Sequence, residues 1–104
     1  MKIYLAGPMT GIEDFNYPAF HEQAARLRAL GYTVLNPAEN PLCDSWEGYM
    51  RLAVAQLVQC DAVALLSGWS DSRGALIERA LAFDLKMPVC AALEITDICV
   101  GETK

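Results

Sequence analysis

Apolar and polar positions alternate in blocks along the chain, and the period within each block changes from one to the next. Residues 2–6, Lys-Ile-Tyr-Leu-Ala, form a short apolar run halted by Gly7-Pro8, which predicts a buried strand ending in a turn. Phe20, Ala24, Leu27 and Leu30 then recur at helical spacing. They predict a helix over residues 18–30, with Pro18 in its first turn and Gly31 at its C-terminal cap. Residues 32–35 are β-favouring and run into Asn36-Pro37, predicting a second strand followed by a long polar loop to Ser45. Tyr49, Met50, Ala53 and Leu57 share one face of a helix predicted over residues 46–59, with Ser45 or Asp44 as its N-cap.

Asp61 introduces Ala62-Val63-Ala64-Leu65-Leu66, a continuous apolar run of the kind a strand covered on both faces requires, and this is the predicted central strand. After Gly68-Trp69-Ser70-Asp71 a helical pattern covers residues 72–86, and residues 87–92 read as a last short strand. From Leu93 onward the pattern is ambiguous. Strands alternating with helices of this length imply right-handed crossovers. The expected fold is therefore α/β, a three-layer open parallel sheet of flavodoxin-like or Rossmann-like type, with residues 1–104 as a single domain.

Composition narrows the function classes. A chain of 104 residues, 54% hydrophobic and 20% charged, is long enough for one modest core that hides roughly two thirds of the unfolded surface. The net charge of −5 argues against a duplex nucleic-acid partner, whose binders draw affinity from clustered Lys and Arg. No apolar run approaches the roughly 20 residues of a membrane span, and the N-terminus opens directly into a strand pattern without a signal-peptide layout. A cytoplasmic protein without a membrane partner is expected. Cys43, Cys60, Cys90 and Cys99 form no C-x-x-C pair, and the one histidine, His21, is distant from them in sequence. No metal site is expected; Cys60 and Cys90 read as reduced core thiols, and His21 as a surface residue of the first helix.

In open parallel sheets ligands bind beyond the carboxyl ends of the strands, and two loops here have the composition for that. The first, Tyr4 to Gly11, brings Gly7, Pro8 and Met9 to the end of the first strand, with Thr10 able to donate a hydrogen bond. It lacks both the G-x-G-x-x-G pattern and the Walker lysine. The second, Gly68-Trp69-Ser70-Asp71-Ser72-Arg73-Gly74, passes into the helix bearing Glu78. Ser72 is placed to cap that helix, whose N-terminal amides favour an anion; ordinary capping explains Ser72 equally. Glu78 is flanked by Ala75-Leu76-Ile77 and Ala80-Leu81-Ala82, so it is either a partly desolvated carboxylate with a raised pKa or a solvent-facing partner of Arg79. Phe15, Tyr17, Trp46 and Trp69 stand where an aromatic either stacks on a base or closes the core. Asp61 reads as structural.

Taken together, Y-L-A-G-P-M-T-G, F-N-Y-P-A-F, C-D-A-V-A-L-L and G-W-S-D-S-R-G-A-L-I-E resemble the small phage and prophage DUF4406 proteins of the nucleoside 2-deoxyribosyltransferase-like superfamily. The resemblance extends to about Val89. It implies cleavage of an N-glycosidic bond in a nucleoside or nucleotide, with Glu78 matching the nucleophile and Tyr4 the tyrosine that orients it. Gly7, Ser72 and Gly74 match positions that cradle a 5′-phosphate, and Trp69, Pro8 and Met9 join them as expected substrate contacts. No cofactor is implied, and a homodimer or larger homo-oligomer is.

Two positions depart from the pattern. Ala53 stands where the superfamily's second-helix aspartate is expected, and Pro8 where a phosphate-contacting serine is expected. Asp71 or Asp44 would then have to handle the proton. Two other readings stay open beside the enzyme: a catalytically silent nucleotide-binding module, and a homo-oligomeric interaction domain whose exposed apolar surface lies on the second helix.

Overall fold

A computed structural model of the chain describes residues 1–41 and 43–95. Four strands, β1 (Lys2–Ala6), β2 (Thr33–Leu35), β3 (Ala62–Leu65) and β4 (Val89–Ala91), form one sheet in the order β2-β1-β3-β4. All three pairings are parallel, with Tyr4 opposite Leu35 on one side and Val63 on the other. Three helices connect them: α1 (Tyr17–Ala29), α2 (Trp46–Leu57) and α3 (Arg73–Asp84). This is the expected parallel α/β fold. Cys99 and the other residues beyond 95 lie outside the described part of the chain.

Alternation along β1 decides what each layer contains. Ile3 and Leu5 point to one face and pack with Phe20, Ala24 and Leu27 of α1. Tyr4 and Ala6 point to the other, where Ala53 and Leu57 of α2 and Ala82 of α3 close over them. Phe20 and Leu27 are fully buried, and each such side chain contributes roughly 1.5–3 kcal/mol through removal of apolar surface from water. Arg26 of α1 reaches the carbonyls of Ala92 and Ile95, tying that helix to the segment after β4.

The helix ends lie within two or three residues of expectation, and the deviations have local causes. Ser45 caps α2 by accepting from the Gly48 N–H at 3.0 Å, and Ser72 caps α3 by accepting from the Ala75 N–H at 3.2 Å. At the C-terminus of α1, Gly31 (φ 103) lets the Tyr32 N–H bond the Leu27 carbonyl and its own N–H bond that of Arg28. Helix α3 closes in the same way through Lys86 (φ 60), with Met87 N–H on the Ala82 carbonyl and Lys86 N–H on that of Phe83. A helix pattern that runs on to residue 86 therefore stops at Asp84. The Asn36–Ser45 loop holds a short 3-10 turn at Pro37–Glu39, and another, Glu13–Asn16, leads into α1.

From β1 the chain crosses to one side to build β2, then returns past β1 to build β3. The connections leaving β1 and β3 therefore diverge, which opens a crevice at their carboxyl ends.

Candidate functional site

A cleft of about 710 Å³ occupies that crevice. Its floor is set by Tyr4 and Glu78. Tyr4 is fully buried in the middle of β1, and its hydroxyl donates to Glu78 Oε2 at 2.5 Å. Glu78 comes from the second turn of α3, on the face that also buries Ala75 and Ala82. Side chains on a helix lean toward its N-terminus, so Glu78 lies over the turn that holds Gly74 and Ala75. Those small residues leave the carboxyl room on the cleft side.

Of the two sequence expectations for Glu78, the buried one holds: it is 5% exposed. Desolvation pushes its pKa up to about 7, outweighing the Tyr4 hydrogen bond, which works in the opposite direction. Tyr4 is held well above the usual phenol range, first by burial and then by the neighbouring Glu78 charge. The carboxyl thus changes protonation near neutrality while the phenol stays a donor.

The walls come from loops and helix starts. Gly7, Pro8, Met9 and Thr10 line one side, and Asp71, Ser72, Arg73 and Gly74 another. Ser72 serves as the helix cap, as one of its two sequence readings has it, and it also lies on the cleft lining. Arg73 lays its guanidinium 4.3 Å over the Trp46 ring, which joins the start of α3 to the start of α2 at the rim. Gly7 and Gly74 have packing reasons: a Cβ on Gly7 would stand 2.7 Å from Leu66 Cβ, and one on Gly74 3.1 Å from Met50 Sδ.

Asp14, Phe15 and Asn16 all adopt left-handed backbone angles (φ 54, 52 and 61), and the Asn16 side-chain amide donates to the Pro8 carbonyl at 3.0 Å. That pairing fastens the segment to the first loop. Phe15, 56% exposed, and Tyr17 thereby line the cleft with their rings 5.9 Å apart.

The structure gathers Tyr4, Gly7, Pro8, Met9, Asp71, Ser72, Gly74 and Glu78 around this one cleft, with Asp44 also on its lining. Trp69 is the exception. Gly68, at φ 85, turns the chain after β3, so Trp69 packs back on the α2–α3 side of the sheet and lines a separate shallow depression with Leu65, Leu66 and Leu93. Its ring carries the Arg79 guanidinium at 5.1 Å. Asp61 accepts from the Lys2 N–H at 2.9 Å, outside the cleft, in the structural part expected of it.

Ala53 is fully buried within the apolar layer. One turn earlier, Tyr49 reaches the cleft and donates its hydroxyl to Met9 Sδ at 3.0 Å. Sequence reading placed Tyr49 only on the apolar face of α2; the signal available was a phenol one turn before the vacant acidic position. Cys60 is buried, with its thiol pushed up to about 11, chiefly by desolvation; Cys90 is half-buried, and Cys43 is exposed at the cleft. His21 is exposed on α1, within 3.2 Å of the Asn36 amide. Among the described residues no group of three or more His, Cys, Asp or Glu is arranged to hold a metal ion, and no helix is long and apolar enough to cross a membrane.

A protein-family model described as a domain of unknown function, DUF4406, matches residues 1–91. No curated protein matches. Solved structures of 2-deoxyribosyltransferases share the fold. A 2-deoxyribosyltransferase from Leishmania mexicana superposes with a TM-score of 0.68 at 18% identity, over 85% of this chain and 61% of that one. This chain thus spans less than two thirds of that protein. A 2-deoxyribosyltransferase from Bacillus psychrosaccharolyticus gives a TM-score of 0.64 at 26% identity, over 99% of this chain and 82% of its own.

Proposed function

The chain belongs to the DUF4406 family, and from its cleft we propose that it cleaves or transfers the N-glycosidic bond of a nucleoside or nucleoside monophosphate, with Glu78 as nucleophile. The observation that carries this reading is the buried Tyr4–Glu78 pair, 2.5 Å apart on the floor of a cleft at the switch point of the sheet. Likeness to two 2-deoxyribosyltransferases supports it.

The chemistry follows from the carboxylate. Tyr4 holds Oε2 and leaves Oε1 to attack the anomeric carbon, where an anion stabilises oxocarbenium-like charge and then bonds to the sugar. A pKa of about 7 keeps an ionised fraction available at neutral pH without the hydration that blunts an exposed carboxylate. The Gly7 amide, the Ser72 hydroxyl and the first amides of α3 receive a 5′-phosphate when one is present. Pro8 and Met9 supply apolar surface beside the sugar and base. Asp71, exposed at the rim, enters as the carboxylate that exchanges protons with the acceptor. Full activity in Asp71→Asn would remove it from that role.

The test is incubation with a panel of deoxynucleosides and their monophosphates, following free base by chromatography, with Glu78→Ala as control. Base release by the wild type alone supports the reading. A second reading, a silent nucleotide-binding module, draws on Ala53, which lies inside the core where an acid is expected. Thermal stabilisation by a nucleotide without base release in either form would favour it.

We also propose a homodimer or larger assembly. The large exposed apolar side chains concentrate on α3, at Leu76, Ile77 and Phe83, whereas α2 was the expected surface. A monomer mass by light scattering would overturn that.

A further inference from the structure

We propose that Tyr49 donates the hydrogen bond that the departing base requires, in the place of a carboxylate on α2. This goes one step into the glycosidic reading above and rests on it. Breaking the bond between C1′ and the base nitrogen leaves an electron pair on the base, and a donor aimed at that charge is worth most in a site shielded from water.

The structure limits where such a donor stands. The Tyr4 hydroxyl is committed to Glu78, and Ala53 offers only a methyl group sealed in the core. Tyr49 lies four residues before Ala53 on the same helix face, and its hydroxyl reaches the cleft. That hydroxyl donates to Met9 Sδ at 3.0 Å. A thioether is a weak acceptor, so a base nitrogen or carbonyl oxygen competes for the proton with advantage. Burial, and then the Glu78 charge, hold the phenol above its usual range, so it remains protonated wherever Glu78 is ionised.

The step balances with water as the only co-reactant. The bond from Glu78 Oε1 to C1′ forms as the bond from C1′ to the base nitrogen breaks, and the bonding pair passes to the base. The Tyr49 O–H stabilises the base anion, which then takes a proton from water, relayed through the Asp71 carboxylate. The resulting hydroxide opens the glycosyl ester, giving the free sugar hydroxyl and restoring the Glu78 carboxylate.

Leaving-group dependence tests this on the full chain. Deoxyguanosine and its 5′-monophosphate need such a donor; their N7-methylated forms carry a cationic base that departs neutral and do not. Tyr49→Phe is expected to lower kcat about 10²–10³-fold on the unmethylated substrates. On the methylated ones it should remain within about threefold of wild type, and activity there also shows that the variant is folded. Equal losses on both substrate types, or no loss on either, would overturn the proposal. If the wild type releases no base from these or from any member of the panel, the glycosidic reading falls, and this one with it.

Discussion

The two faces of β1 divide alternate residues of one strand between opposite purposes. Toward α1, Ile3 and Leu5 meet Phe20, Ala24 and Leu27 in an apolar layer. Toward α2 and α3, Tyr4 meets Glu78, and Tyr49 lies alongside. The first face is built by removing hydrocarbon from water. The second gives up part of that gain to keep a carboxyl and a phenol under cover. Glu78 tolerates this because a hydrogen bond holds one oxygen and the cleft opens beside it, but desolvation still dominates its pKa. The α1 side is apolar throughout its buried cluster, whereas the α2–α3 side sets the Tyr4–Glu78 pair into an apolar layer of its own.

Replacing Glu78 by glutamine should separate the two most sharply. With the proposed nucleophile gone, turnover is expected to fall at least about 10⁴-fold. Stability should move the other way. A carboxyl whose folded pKa is raised to about 7 favours folding most below its unfolded value near 4.5 and loses that contribution as pH rises through 7. Above pH 7 the charged carboxylate therefore costs the wild type roughly 3 kcal/mol that the neutral amide does not. Urea midpoints taken from pH 4 to 8 should show a gap that opens between about pH 4.5 and 7 and then stays level. A glutamine variant no more stable than wild type at pH 8 would break the comparison.

Leu27→Ala addresses the other face. Leu27 is fully buried between α1 and the sheet, and its truncation should cost about 3 kcal/mol through lost transfer energy and the cavity left behind. Because no part of the cleft touches it, kcat/KM of the protein that remains folded should be unchanged. A fall in kcat/KM larger than the folded fraction accounts for would show that the layers are coupled.

How far this division could be seen in advance depends on the residue. The parallel sheet was legible from Ala62 to Leu66 and the spacing of Phe20, Ala24 and Leu27, because burial on both faces of a strand or one face of a helix leaves a periodic trace. The Ser45 and Ser72 caps were legible for the same kind of local reason. The orientation of Glu78 was not: helix periodicity leaves residues 78 and 79 near the edge of the buried stripe, and the tertiary contact with Tyr4, 74 positions away, decides it. Trp69 escaped because its direction is set by the left-handed Gly68 and a single 3-10 turn, where no period exists to extrapolate. Tyr49 fitted the apolar face of α2 so well that its hydroxyl went unremarked.

Tyr4→Phe is a milder probe of the face that carries Glu78. It removes a hydrogen bond to the ionised form of Glu78 while keeping the ring in place, and such bonds are worth about 1.5–3 kcal/mol. Because that bond lowers the Glu78 pKa against desolvation, its loss should move the ascending limb of kcat/KM against pH upward from about 7. An unmoved limb would mean that Tyr4 positions the carboxyl without tuning it.

The smallest effect is expected where the two faces share a device but differ in residue. Helices α1 and α3 end in the same pair of backbone hydrogen bonds, α1 through Gly31 and α3 through Lys86. At φ 60 a Lys Cβ crowds its own backbone at a cost of about 1–2 kcal/mol, whereas glycine enters this region freely but gives up more entropy on folding. Lys86→Gly should therefore stabilise by about 0.5–1 kcal/mol, read from the urea midpoint, with turnover unchanged because Lys86 is exposed and outside the cleft. Gly31→Ala, at φ 103 with open space around it, should destabilise through the backbone alone. Opposite signs at these two positions would place the difference in the residue at the helix end and not in the layer it closes; a loss at both would mean that the Lys86 side chain makes a contact worth more than its strain.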